Sequence, residues 1–177
     1  MKTAIIFGLG SMGKRRIRDL ISFGVEVIGY DIRKDRMTEA FNLFQIKTIN
    51  DLSGIDRCRI DFAVICTPPD KHIFYYELCF TKKLFFFSEA NIFTPKASWF
   101  IENEKKYGVK GFPSGTWRFH PAFIKLKELL VDNTTQLNSV RLNYTEFLPD
   151  WHPWEEYEDY YAGQEKTCAA REMVTFE

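Results

Sequence analysis

The chain has 177 residues, 45% of them hydrophobic, and its 24 basic and 24 acidic side chains cancel. That hydrophobic share excludes a disordered polymer, and the missing basic excess argues against nucleic acid as the main partner, because a phosphate backbone calls for one. The length suits one domain with a full core plus a fragment of another.

Thr3–Phe7 reads as a short buried strand, followed at once by glycines at 8, 10 and 13. Ser11–Phe23 reads as a helix, with Ser11 as N-cap and Gly24 as its stop. Val25–Tyr30 is β-branched and continuous, as suits a strand covered on both faces. Lys34–Phe44 is a helix, Ile46–Ile49 a short strand and Asp61–Cys66 a buried one. Pro69–Phe80 reads as a helix opened by proline, Leu84–Phe87 as a strand, Pro95–Tyr107 as a helix and Val109–Gly115 as a weaker strand. Strands alternating with helices of this length predict right-handed βαβ units and a parallel sheet, an α/β class, through about residue 118. Pro121–Val131 then reads as an amphipathic helix. Leu137–Phe147 alternates apolar and polar residues, as in a strand with one wet face. Thr167–Phe176 reads as a closing helix.

The seventeen phenylalanines predict a Phe-rich core. Cys58, Cys66, Cys79 and Cys168 form no C-x-x-C pair, and no histidine completes a zinc site, so no metal is expected. Cys66 and Cys79 sit in apolar runs and read as small hydrophobes. This usage fits a reducing, cytoplasmic setting. The first apolar stretch, Ala4 to Phe7, is too short for a secretory leader, and no run suits a membrane span.

The G-x-G-x-x-G at Gly8, Gly10 and Gly13 gains weight from its place between a strand and a helix. Gly8 permits a tight turn, Gly10 lets backbone approach a pyrophosphate, and Gly13 lets the helix pack on the strand. Asp31 ends the second strand, eighteen residues after Gly13. A carboxylate there accepts ribose hydroxyls and repels a 2′-phosphate, which favours NAD over NADP, although Arg33, Lys34 and Arg36 just beyond suit that phosphate. Lys14, Arg15, Arg16 and Arg18 read as a solvated basic face, with Arg15 or Arg16 able to approach phosphate. Thr67-Pro68-Pro69 follows a buried parallel strand, at the sheet edge where such folds bind ligands. His72 opens the next helix, as a capping or surface residue or one facing a ligand.

Together G-L-G-S-M-G at 8–13, C-T-P-P-D-K-H at 66–72, S-E-A-N at 88–91 and W-R-F-H-P at 117–121 resemble the glucose–fructose oxidoreductase / inositol dehydrogenase (Gfo/Idh/MocA) family. The resemblance implies a Rossmann domain over 1–118 and the start of a mostly antiparallel α+β substrate domain over 119–177. It implies an NAD(P)-dependent oxidoreductase acting on a sugar, inositol or related polyol by hydride transfer at a secondary alcohol or ketone. By resemblance Gly8, Gly10, Ser11, Met12 and Gly13 hold the pyrophosphate, and Asp31 the ribose. Thr67, Pro68 and His72 lie beside the cofactor, with Glu89 near the nicotinamide ribose and Arg118 near the nicotinamide end.

Two departures stand out. The family's Glu-Lys-Pro is Glu89-Ala90-Asn91 here, so the amine that positions or deprotonates the reacting hydroxyl is missing. A dinucleotide-binding module without turnover is therefore the alternative reading. Family members also continue through further sheet strands beyond this length. A strand left without partners invites association, which makes a homo-oligomer an expectation. The aromatic-acidic stretch from Phe147 to Tyr161 suits a sugar: Trp151 and Trp154 are candidate substrate contacts and His152 a candidate acid/base, against a plainer reading as docking aromatics. His120 reads as structural.

Overall fold

Five consecutive buried residues, Thr3–Phe7, form strand β1, and everything in the first part of the chain is arranged around it. Helix α1 (Ser11–Ser22), strand β2 (Glu26–Tyr30), helix α2 (Lys34–Phe44) and the two-residue strand β3 (Lys47–Thr48) follow. The second half supplies β4 (Phe62–Ile65), α3 (His72–Thr81), β5 (Phe85–Ser88), α4 (Ala97–Tyr107) and β6 (Gly111–Pro113). The six strands are all parallel in the order β3-β2-β1-β4-β5-β6. This is a doubly wound Rossmann sheet, whose strand order reverses between β1 and β4.

The computed structural model describes residues 1–90, 95–131, 139, 141, 143, 147–150, 153, 156–159 and 161–167. The chain divides into two compact units, Met1–Pro113 and Ser114–Glu177. Seven of the eleven residues of the expected strand over 137–147, and all but Thr167 of the expected closing helix over 167–176, lie outside the described residues. Among the described residues, no helix is long and apolar enough to cross a membrane.

Alternation along the strands builds two cores, one on each face of the sheet. Ile5, Phe7, Ala63, Ile65 and Phe86 face Tyr75, Tyr76, Cys79 and Phe80 of α3. Ile6 and Val64 face the other way, with Val27, onto Ile17 of α1 and Met37 and Ala40 of α2. Phe7, Phe80 and Phe86 are buried in the first core, but the core is less Phe-rich than expected, because Phe23, Phe41, Phe74, Phe85, Phe112, Phe119 and Phe147 are exposed. Phe80 meets Phe86 edge-on at 5.3 Å between ring centroids, and Tyr76 stacks on Phe86 at 5.4 Å. Phe86 pairs in register with Gly111, where an added Cβ would lie 2.5 Å from the ring, so β6 carries glycine because the ring fills that space.

Several expected boundaries move for local reasons. Gly10, not Ser11, is the N-cap of α1; Ser11 is its first helical residue. Gly24 stops the helix in the left-handed region at φ +71, as expected. The helix expected from Pro69 begins with a 3-10 turn over Pro69–Lys71, and the α-helix proper starts at His72. Pro68 is held extended by the proline after it. Strand β6 is shorter than expected, and a proline, which cannot donate to the ladder, closes it.

In the second unit, helix α5 (Pro121–Val131) follows a 3-10 turn over Thr116–Phe119. The ring of His120 caps α5, its Nδ1 accepting from the Ala122 amide at 3.2 Å, while Trp117 packs on both His120 and Phe123 at 5.3 Å.

Phe86→Ala removes a ring that is 2% exposed and that several aromatics surround. Equilibrium urea unfolding is expected to show a loss of about 3–5 kcal/mol, whereas truncating Phe23, 81% exposed, is expected to cost about 0.5 kcal/mol or less.

Candidate functional site

The chain leaves β1 through a turn with no room for a side chain at its first residue, Gly8. Gly8 has φ +90, and a Cβ there would sit 2.7 Å from the carbonyl of Cys66 and 2.8 Å from the amide nitrogen of Thr67, at the exit of β4. A Cβ on Gly13 would lie 2.0 Å from the Gly8 carbonyl oxygen. The glycines at 8 and 13 therefore press β1, α1 and β4 together. Gly8 donates to the Tyr30 carbonyl at 2.9 Å, and the first helical bond runs from Lys14 N–H to Gly10 O at 2.9 Å. No side chain caps α1, and its first turn holds no acid. The amides of Ser11, Met12 and Gly13 thus point toward the sheet's carboxyl edge with the positive end of a twelve-residue helix behind them.

Asp31, the first residue after β2, is 5% exposed. Its Oδ2 accepts the Leu9 amide at 2.8 Å, and its Oδ1 accepts the Arg33 amide at 2.9 Å. The carboxylate is thereby built into the glycine turn. Arg36 Nη1 stands 3.8 Å from Asp31 Oδ2, and the same nitrogen would lie 3.3 Å from a Cβ on Gly10. Arg33 instead pairs with Asp35 at 2.5 Å.

On the other side of the centre, Thr67 and Pro68 follow β4. The Thr67 hydroxyl is buried and finds no hydrogen-bond partner among the described residues. His72, which the sequence leaves open between a capping or surface residue and one facing a ligand, is fully buried. Its Nε2 lies 2.7 Å from the Thr67 carbonyl. A carbonyl only accepts, so Nε2 carries the proton and Nδ1 is an acceptor. Nδ1 lies 3.2 Å from both the Tyr76 hydroxyl and the Ser88 hydroxyl. Ser88 donates to the Glu89 carbonyl at 2.9 Å, and Tyr76 lies 2.8 Å from Ser88 Oγ. One buried network therefore joins the turn after β4 to the end of β5. Burial pushes the His72 pKa down to about 4, against the opposing pulls of the Thr67 carbonyl and Asp70.

Glu89, the first residue after β5, pairs with Arg16 of α1: Nε to Oε1 at 2.5 Å. Arg16 therefore departs from the solvated face expected of the basic run. Ala90 beside Glu89 is 9% exposed. Burial raises the Cys66 thiol well above its usual range, with Glu89 adding to the effect and Arg16 opposing it. Among the described residues, no group of three His, Cys, Asp or Glu is placed to hold a metal.

The first unit thus gathers Gly8, Gly10, Ser11, Met12, Gly13, Asp31, Thr67, Pro68, His72 and Glu89 along the carboxyl ends of β1, β2, β4 and β5. Arg118 belongs to the second unit, on its 3-10 turn, where a Cβ added at Gly115 would lie 3.0 Å from its Cδ. Trp151, His152 and Trp154 lie outside the described residues. Two partners escaped sequence reading. Tyr76 carried a signal, since it sits four residues after His72 on one helix face. The Arg16–Glu89 pair carried none, because it joins residues 73 apart in sequence.

The fold is shared with solved dehydrogenases. GenD2 from gentamicin A biosynthesis, in complex with NAD, matches 75% of this chain and 40% of its own length at 19% identity and a TM-score of 0.66. Myo-inositol 2-dehydrogenase from Lactobacillus plantarum matches 75% of this chain and 42% of its own at 19% identity and 0.66. A mutant of KijD10, a 3-ketoreductase from Actinomadura kijaniata in complex with TDP-benzene and NADP, matches 74% and 44% at 14% identity and 0.64. This chain thus spans less than half the length of each. No protein-family model matches the sequence, and no curated protein does.

His72 yields a stability prediction with a definite sign. Its folded pKa of about 4 lies below the ordinary 6.5, so acid protonates the unfolded chain first. Stability from this group is complete above pH 6.5 and falls by about 3 kcal/mol as pH drops to 4. Urea titrations of wild type and His72→Gln across that range are expected to show the gap between them narrowing with acid. A constant gap would contradict a neutral buried imidazole.

Proposed function

We propose that this chain binds a nicotinamide dinucleotide along the carboxyl edge of β1, β2, β4 and β5, as part of a Gfo/Idh/MocA-type oxidoreductase. The observation that carries this reading is the glycine turn pressed against the β4 exit with the Asp31 carboxylate bonded into it. The site fits the cofactor's chemistry. Uncapped amides of Ser11, Met12 and Gly13 suit the pyrophosphate, Asp31 suits the adenosine ribose, and the buried, unpartnered Thr67 hydroxyl suits a polar ligand atom. Pro68 and His72 shape the loop beside it and Glu89 suits the nicotinamide ribose; Arg118 is assigned to the nicotinamide end by the family resemblance alone. When bound, the nicotinamide ring would give or take the hydride.

We assign residues 1–118 to the cofactor domain and 119–177 to the start of a substrate domain for a sugar, inositol or related polyol. Trp151 and Trp154 are candidate substrate contacts there and His152 a candidate acid/base, with docking aromatics as the plainer reading. NAD is favoured over NADP because Asp31 places a negative charge where a 2′-phosphate would sit. Arg36, 3.8 Å from that carboxylate, offsets the charge only in part. The solved neighbours support the class of chemistry, one in complex with NAD and another with NADP.

A second reading, a cofactor-binding module without turnover, draws on Ala90. Its methyl group leaves no amine beside Glu89, and His72 is unsuited to the task of a base because it is buried with both ring nitrogens engaged.

NADH titrated into the protein, followed by cofactor fluorescence, tests both readings; no binding at millimolar concentration sinks them together. NADH is expected to bind more tightly than NADPH, and Asp31→Asn, which keeps an acceptor for the Leu9 amide, is expected to shrink that preference about tenfold. With NAD bound, absorbance screens against sugars and inositols then separate the two: turnover supports the oxidoreductase, and binding without turnover the module.

A further inference from the structure

The sheet consists of two half-sheets, and a carboxylate follows one strand away from the centre in each: Asp31 directly after β2, Glu89 directly after β5. In a doubly wound sheet these are equivalent positions in the two mononucleotide halves. The two acids are fixed differently. Asp31 is held by the backbone amides of Leu9 and Arg33. The only partner seen for the Glu89 carboxylate among the described residues is the Arg16 guanidinium.

Arg16 is itself tightly placed. Its guanidinium lies over the Phe87 ring, 5.4 Å from the centroid, and its Nη1 reaches Asp19 at 3.3 Å. Burial opposes its charge, and the Glu89 hydrogen bond and field outweigh that, leaving its pKa raised. The side chains of Arg16 and Glu89 are 26% and 14% exposed, so water screens the pair only partly. Ala90 brings no charge of its own to this edge.

We propose that Arg16 is the positioning residue of the nicotinamide half: from α1 it clamps Oε1 of Glu89 and so presents Oε2 to the ribose hydroxyls of the bound cofactor. The role rests on the dinucleotide reading above. It makes α1 serve both halves of the ligand, the pyrophosphate through its first-turn amides and the nicotinamide ribose through a side chain in its second turn.

The test compares NADH with ADP, which lacks the nicotinamide ribose, on the full chain. Wild type, Arg16→Met, Arg16→Lys, Glu89→Gln and the Arg16→Met/Glu89→Gln double variant are titrated with NADH by fluorescence and with ADP by calorimetry, each with a thermal melt. Arg16→Met and Glu89→Gln are each expected to weaken NADH about tenfold, the scale of one hydrogen bond to a charged group, and to leave ADP binding unchanged. The double variant should be no weaker than either single one, and Arg16→Lys should regain most of the loss. Equal weakening of NADH and ADP would overturn the proposal, since it would mean that Arg16 merely props the glycine turn; additive losses would overturn it too. If Arg16→Met does not melt cooperatively, Glu89→Gln and Arg16→Lys decide the same question. Wild type that binds NADH while the variants match it defeats the Arg16 role alone; wild type that binds no NADH defeats the cofactor reading and the role with it.

Discussion

The site depends on how closely the turn after β1 approaches the exit of β4. At Gly8 there is no space for even a methyl group before the Cys66 carbonyl and the Thr67 amide, and at Gly13 none before the Gly8 carbonyl. Backbone therefore meets backbone at the centre of the sheet. This contact lets the amino end of α1 sit low enough for its amides to open onto the carboxyl edge, and it carries Thr67 to the same place. Any side chain at Gly8 or Gly13 would force β1, β4 and α1 apart.

From that contact the rest follows by strand geometry. Parallel strands all end on one side, so their first loop residues line a single edge. Asp31 and Glu89 reach it from opposite sides of β1 and β4, and α1 touches both through Leu9 just before it and Arg16 within it. The two hydrophobic layers hold this edge rigid. Tyr76, itself part of the His72 network, stacks on Phe86 in the first core, so core packing and loop position are one problem here.

Much of this was legible in the sequence where the determinant is local. The period of apolar residues, the glycine spacing and Asp31 at the end of β2 reveal the strand–turn–helix unit, because each depends on neighbours a few residues away. The N-cap was misread at Ser11 because serine usually caps, while here the turn needs glycine and an uncapped helix end. The burial of His72 is not legible in the sequence, because an opening histidine resembles a surface residue and Ser88, its partner in the network, lies sixteen residues away. The basic run was read as solvated because charge pattern on one helix says nothing of a carboxylate at the end of β5. What the sequence hides is pairing over long separations; what it shows is local conformation.

The network from Thr67 through His72 and Tyr76 to Ser88 has one more consequence. It fastens the loop after β4 and the end of β5 to a single imidazole. Opening one breaks bonds to the other, so their backbone amides should exchange with solvent as one cooperative unit rather than as two independent flaps. On the β2 side, the Asp31 carboxylate ties the turn after β1 to the loop after β2 through the Leu9 and Arg33 amides, with Arg36 3.8 Å away. Each half of the edge thus has its own fastener: a neutral imidazole beneath the end marked by Glu89, and a buried carboxylate at the end marked by Asp31.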